Sequence, residues 1–385
     1  MPPPLPASAG SDGNNSLQRN IGWVVLLLLF AGQILLFSAS GVLAVQRFNS
    51  PFYYVGKQTV AGLIGLILMI LLSRVRYQFW GKLSPVLLAL QLGLVIATYF
   101  PGLGHQAQGA SRWLQWGSFS FQPSELGKLF IVLYVAHLLE KNSGTGLRPS
   151  QWALRLLPVG LLLGLIFRQP DLGTTIVLTC LILGLFFLAG ARPLTIALFT
   201  GGGGILAVCA MLLSVYRRRR LLAFLNPWSD PQGAGFQTIQ SFVSIHSGSL
   251  FGVGLGNGNS KLFYLPEVHT DFIYALVAEE LGFIGALVLL LVFLYLLYLL
   301  FRVSFQARDN LGCYVAFGLA LSLGLQVCIN LGGVTGLLPV KGLPLPFISW
   351  GRSALLVNLI MMGILLNIAR QSSIIPSDFS PGPLK

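Results

Sequence analysis

Apolar runs long enough to cross a bilayer constrain this chain more than any other feature. They fall near Ile21–Val45, Tyr54–Ser73, Leu83–Tyr99, Phe121–Leu139, Ala153–Phe167, Thr174–Ala189, Pro193–Val215, Phe272–Phe301, Cys313–Leu331 and Ala354–Ile368. Lipid offers the backbone no hydrogen-bonding partner, so each run must satisfy itself as a helix. The expected fold is all-α, a polytopic membrane protein of about ten transmembrane helices with a long extracytoplasmic loop between helices 7 and 8. Only 9% of the 385 residues are charged, against roughly 25% in a soluble domain. The net charge of +13 does not point to nucleic acid, because the bases punctuate apolar runs. Loop charges, membrane lipid headgroups and phosphates fit that pattern better.

Residues 1–20, rich in Pro, Ser, Asn and Gly, are expected to be a disordered cytoplasmic tail. A membrane domain follows over 21–370, with 217–270 as its large external loop, and 371–385 form a cytoplasmic tail. Ser38-Ala39-Ser40-Gly41 resembles a signal-peptide cleavage site, but the run around it is long enough to span. The fifth span is short, in a region broken by Pro158, Pro170 and Gly173. An even span count puts both termini on one side. Discounting the long loop, the basic residues put that side in the cytoplasm. Cys180, Cys209, Cys313 and Cys328 lack metal-type spacing and read as small core thiols.

The chain has 11 carboxylates, and four of them sit in Leu265–Gly282, LPEVHTDFIYALVAEELG. Acids at or within a span are functional candidates by default. Asp271 opens the eighth span. Thr270 or Asp271 capping that helix would explain an acid there, but not Glu267, His269, Glu279 and Glu280 around it. Glu279 and Glu280 lie about 12 Å deeper by helical rise and cannot both share the Asp271 face. Glu125 and Lys128, at i and i+3, read either as a helix-surface pair or as groups facing a cavity. Asp171 reads as a helix cap. Arg217, Arg218, Arg219 and Arg220 open the external loop, where they suit phosphate or anionic headgroups. Arg112, Lys261 and Lys341 lie on the same side. The glycines of FGVGLGNG have no flanking strand and read as tight external turns. A face of several acids and many bases capping a membrane bundle suits an anionic lipid with a polar headgroup.

GASRW, FQPSELGK, QPDLGT, NPWSDPQGAGFQTIQS, GVGLGN, KLFYLPEVHTDFIYALVAEELG and GLLPVKGLPLPFISWG occur in this order. Together they resemble the SEDS family (shape, elongation, division and sporulation) from about Ile21 to Arg370. NPWSDP, GLGN and VKGLPLPF are more similar to its division branch than to its elongation branch. The resemblance implies a ten-helix peptidoglycan glycosyltransferase of the cytoplasmic (inner) membrane, at the division septum. It would polymerise lipid II into β-1,4 glycan, with undecaprenyl pyrophosphate as leaving group. The family's essential acid falls on Asp271, its conserved Glu and Lys on Glu125 and Lys128, and its loop lysines on Lys261 and Lys341. Arg112, Glu267, His269, Ser349 and the Arg217–Arg220 run complete the candidate substrate-binding set. The implied partners are lipid II, undecaprenyl-linked glycan, a class B penicillin-binding protein and other divisome proteins. Gln108, Ser260, Trp350 and Arg352 depart from the family pattern. A divalent cation, Mg or Mn, could be held by Glu125 or Glu267, though no metal-ligand spacing marks a site. The competing readings are a lipid II transporter, which Glu279, Glu280 and the broken helices would suit, and an elongation-type polymerase.

Overall fold

The structure is a computed structural model, and it describes residues 9–372 apart from 101, 103, 108–109, 117–118, 143–148, 170 and most of 193–221. Three helices lead: α1 (Ala9–Phe48), α2 (Tyr53–Arg74) and α3 (Tyr77–Ala97). A small antiparallel sheet follows, β1 (Gly104–Ala107), β2 (Ala110–Trp116) and β3 (Phe119–Phe121), in the order β1-β2-β3. Then come α4 (Pro123–Lys141), α5 (Pro149–Arg168) and α6 (Leu172–Leu188). Past the sparsely described stretch, α7 (Phe236–Ser247) lies within the long loop. The chain ends with α8 (Ile273–Phe305), α9 (Asn310–Val334) and α10 (Arg352–Ser372).

Among the described residues, seven helices are long and apolar enough to cross a membrane: α1, α2, α3, α5, α8, α9 and α10. The chain is a multi-pass membrane protein. α6 is apolar but shorter. The expected seventh span lies largely outside the described residues. α4 carries Glu125, Lys128, His137, Glu140 and Lys141, yet 14 of its 19 residues are buried. By contrast, 6 of the 22 residues of α2 are buried. α4 is therefore the central helix, packed on α3, α6 and α9, while α2 turns most of its surface outward. Lipid is as apolar as leucine, so outward Leu and Ile cost little and close helix approach is set by small residues. Gly65 and Gly363 let α2 and α10 meet, and Gly318 admits Val132 of α4 against α9.

Four expectations change. α1 begins at Ala9, so part of the expected disordered tail continues the first helix. Pro158 sits inside α5, which runs 20 residues and is not short; the chain instead breaks at Gln169–Asp171. The loop after α3 holds strands, where Ser111-Arg112-Trp113-Leu114-Gln115-Trp116 shows no polar–apolar alternation to mark them in sequence. Cys328 is exposed, so it is no core thiol.

Candidate functional site

Pro123 starts α4 where a missing N–H costs nothing, and Glu125 sits in the first turn, where the helix dipole favours an anion. One turn on, the Lys128 ammonium lies 2.6 Å from Glu125 Oε2. Both residues are 2% exposed, so this is a buried pair and not a surface one. The ammonium also donates to Gln326 Oε1 of α9 at 3.0 Å. The other end of that amide donates to the Pro344 carbonyl at 2.8 Å. Thr174 and Val177 of α6 and Leu343 close the walls of a pocket around Glu125, Lys128 and Gln326.

Asp271 arrives at the same end of the bundle through a strained turn. Glu267 adopts φ 56, a left-handed conformation that costs a non-glycine residue about 1 kcal/mol or more. Its carbonyl then accepts from both Thr270 N and Asp271 N at 3.1 Å. The residue that opens α8 is Phe272, with no side-chain cap. Thr270 and Asp271 thus lie before the N-cap position and not at it. Asn330 of α9 donates to the Asp271 carbonyl at 2.9 Å and to the Leu343 carbonyl at 2.8 Å. A Cβ at Gly342 would stand 3.2 Å from Asp271 Oδ2, and the Lys341 stem lies along Gly173 at the start of α6. The segment Lys341–Pro344 thus joins Asp271 to the α4 pair and the α6 N-terminus. The site holds an acid near a closed niche lined by a buried ion pair and the Gln326 amide. It can take a proton at Asp271 and meet a polar, charged group beside it.

The surrounding residues hold this arrangement. Arg112 Nε donates to the Gln169 carbonyl at 3.0 Å, and the Gln169 amide donates to Thr98 Oγ1 at 2.6 Å. That ties the sheet to the α5–α6 break. Asp171 caps α6, accepting from Thr174 N at 3.2 Å and Thr174 Oγ1 at 2.9 Å. His269 is buried, its ring 5.0 Å from Tyr54 of α2, and its carbonyl accepts from Trp350 N at 2.9 Å. Burial pushes the His269 pKa below 6.5, with Glu267 opposing the shift and Arg47 adding to it. Ser349 closes a turn, its hydroxyl accepting from Leu345 N at 2.9 Å. Gln58 clamps that turn from α2 by donating to the Ser349 carbonyl at 2.9 Å. His269 and Ser349 are thus packed supports of the site.

Other candidates stand apart. Lys261 is buried against Glu280 at 2.8 Å. Arg218 is exposed, and Arg217, Arg219 and Arg220 lie outside the described residues. The FGVGLGNG glycines divide: Gly256 is an exposed turn at φ 84, as expected, whereas Gly252 packs against the Glu280 carbonyl. Gln326 and Asn330 were missed from sequence. Their signal is an amide inside an apolar span, which is expensive unless partnered. Among the described residues, no group of three or more His, Cys, Asp or Glu converges. Glu125 is committed to Lys128, so these residues form no all-protein cation cage.

Residues 18–374 match the FtsW/RodA/SpoVE family of cell cycle proteins. The chain is 41% identical over 361 residues to a probable peptidoglycan glycosyltransferase FtsW of Geobacter metallireducens, covering 90% of this chain and 94% of that one. It is 41% identical over 355 residues to the stage V sporulation protein E of Bacillus subtilis, covering 91% and 96%. Among solved structures it is similar to a chain of a peptidoglycan synthase complex that coordinates polymerization and crosslinking. That match has a TM-score of 0.76 and 30% identity, covering 91% and 97%.

Proposed function

This chain belongs to the FtsW/RodA/SpoVE family of cell cycle proteins, and from that premise we propose how its site works as a peptidoglycan glycosyltransferase in cell division. The protein polymerises lipid II into glycan strands. Asp271 takes the proton of the acceptor sugar's 4-hydroxyl, and that oxygen attacks the anomeric carbon of the donor chain. The lipid pyrophosphate leaves, and an α-linked donor yields a β-1,4 bond by inversion. One base suffices, without a covalent intermediate.

The observation that carries this reading is the position of Asp271. It sits at the end of the bundle, one residue before the position that opens α8, against the Lys341–Pro344 segment that leads to the α4 pair. Charge developing on the pyrophosphate needs preorganised positive partners. Lys341 and Arg112 are the candidates, while Lys128, buried against Glu125, holds the wall beside them. A divalent cation, Mg or Mn, would be carried in by the pyrophosphate oxygens, since Glu125 already pairs with Lys128. The site faces outward and the termini face the cytoplasm. The partners are a class B penicillin-binding protein and other divisome proteins, and the place of action is the septum. The two intramembrane acids that suited a transporter are saturated: Glu279 by main-chain N–H groups, Glu280 by Lys261 and Ser38.

The test is polymerisation of lipid II by the purified protein with its transpeptidase partner, comparing wild type with Asp271→Ala and Asp271→Asn. Loss of a general base lowers the rate by about 10²–10⁴-fold, so folded variants should make essentially no glycan. A near-normal rate in Asp271→Asn would place the base elsewhere. Movement of lipid II across proteoliposomes without polymer would favour the transporter.

A further inference from the structure

α8 is not one helix. Gly282, at φ 71 and ψ −173, breaks it, and a break orphans carbonyls before it and N–H groups after it. The segment Ser249–Gly254 satisfies these groups. Val253 N and Gly254 N donate to the carbonyls of Glu279 and Glu280, both at 3.0 Å. Phe283 N and Ile284 N donate to the carbonyls of Ser249 and Leu250 at 2.9 and 3.2 Å. Such an approach excludes side chains: a Cβ at Gly248, Gly252 or Gly282 would overlap backbone atoms of the facing segment. The stretch Ile273–Leu281 is thereby a short rod of its own, with Asp271 just before its first turn.

A second set of contacts anchors the inner end of this rod. Glu279 accepts from Asn259 N at 2.7 Å and Ser260 N at 3.3 Å. Glu280, 0% exposed, accepts from Lys261 Nζ at 2.8 Å, Ser38 Oγ at 2.7 Å and Gly258 N at 3.4 Å. Ser38 in turn accepts from Lys261 Nζ at 3.3 Å. Ser38 belongs to α1, so the rod is tied to another helix as well as to the loop. Glu280 is nine residues beyond Asp271, about 13 Å along a helix. The Lys261 ammonium could reach a pyrophosphate beside Asp271 only by leaving Glu280 buried and unpaired.

We infer that Lys261, Glu280 and Ser38 form a buried latch that positions the Asp271 half of α8, and that Lys261 is a positioning residue and not a pyrophosphate ligand. The inference rests on the glycosyltransferase reading for the role of Asp271, while the latch itself rests on the geometry above. A rod fixed at its inner end holds Asp271 in register with Gly342 and Asn330. Released, it can tilt about Gly282, and a small misplacement of a reacting group costs much of the rate.

The experiment uses the full chain with its transpeptidase partner, well below its melting temperature. It compares wild type with Lys261→Met, Lys261→Arg, Glu280→Gln and the double variant Lys261→Met/Glu280→Met. It measures kcat and KM for lipid II, and amide hydrogen exchange at 253–254 and 272–284. The latch predicts that Lys261→Met and Glu280→Gln each lose about tenfold or more in kcat, with KM within about twofold, and exchange faster in those segments. Lys261→Arg should restore most of the rate, and the double variant should be less impaired than Lys261→Met. A raised KM at unchanged kcat, with the double variant no better than the single, would make Lys261 a substrate ligand and overturn the inference. Unchanged kcat and exchange in folded Lys261→Met would overturn it too. If wild type makes no glycan, the glycosyltransferase reading has failed. The exchange data then decide the latch alone, with faster exchange supporting it and unchanged exchange ending it.

Discussion

Asn330 of α9 holds the main chain of Asp271: its amide donates to the Asp271 carbonyl at 2.9 Å and, with its second hydrogen, to the Leu343 carbonyl at 2.8 Å. One side chain thereby fixes both the acid and the segment that faces it. Asn330→Ala should leave two carbonyls short of a donor, at about 1–3 kcal/mol each where no water replaces it. The expected result is a lower melting temperature and a larger fall in kcat than in KM. Asn330→Asp, which offers no amide donors, should not rescue it.

Lys128 and Glu125 should behave as a unit. Lys128→Met strands a carboxylate that is 2% exposed, and breaking a buried pair costs about 3–5 kcal/mol. The double variant Glu125→Gln/Lys128→Met should recover much of that stability while glycan synthesis stays low. Thermal unfolding in detergent, read beside polymerisation, separates the two effects.

Gly342 is a test of how closely Asp271 must be placed. A methyl group there would stand 3.2 Å from Asp271 Oδ2, closer than ordinary carbon contacts, so the carboxylate must shift by a few tenths of an ångström. Gly342→Ala should lower kcat by about tenfold with little change in melting temperature. Gly342→Val should lower it further.

His269 makes stability depend on pH with a defined sign. Its folded pKa lies below 6.5 because burial disfavours the charged ring. As pH falls below 6.5, the unfolded chain takes up the proton first. The stabilisation is therefore fully present above 6.5 and is lost as pH falls toward and through the folded pKa. Melting temperatures across pH 5–8 should show this slope in wild type, and His269→Gln should flatten it.

Much of the site was legible because charge is scarce in this chain. Asp271, Glu125 and Lys128 stood out against apolar spans, and the tertiary structure links them through Gln326, Pro344, Leu343 and Asn330. Gln326 and Asn330 themselves were not singled out, since an amide in a span gains meaning only when its partners are known. Lys261 was read as a substrate-binding residue because its partners Glu280 and Ser38 lie 19 and 223 residues away in sequence. The turn glycines were read as external because nothing local tells that Gly252 will meet the backbone of a broken helix.

The sequence by itself determined that this chain lives in a membrane, roughly where its helices run, and which few charges are candidates for a site. Hydrophobic run length and the cost of charge in lipid are local quantities, and they can be read residue by residue. Only the tertiary structure decided which charges meet. It paired Lys128 with Glu125 and Gln326, gave Lys261 to Glu280, put Phe272 at the N-cap position of α8 and bridged the break at Gly282 with the Ser249–Gly254 main chain. Those outcomes depend on helix crossings and on main-chain groups brought together from distant segments, which no local pattern encodes.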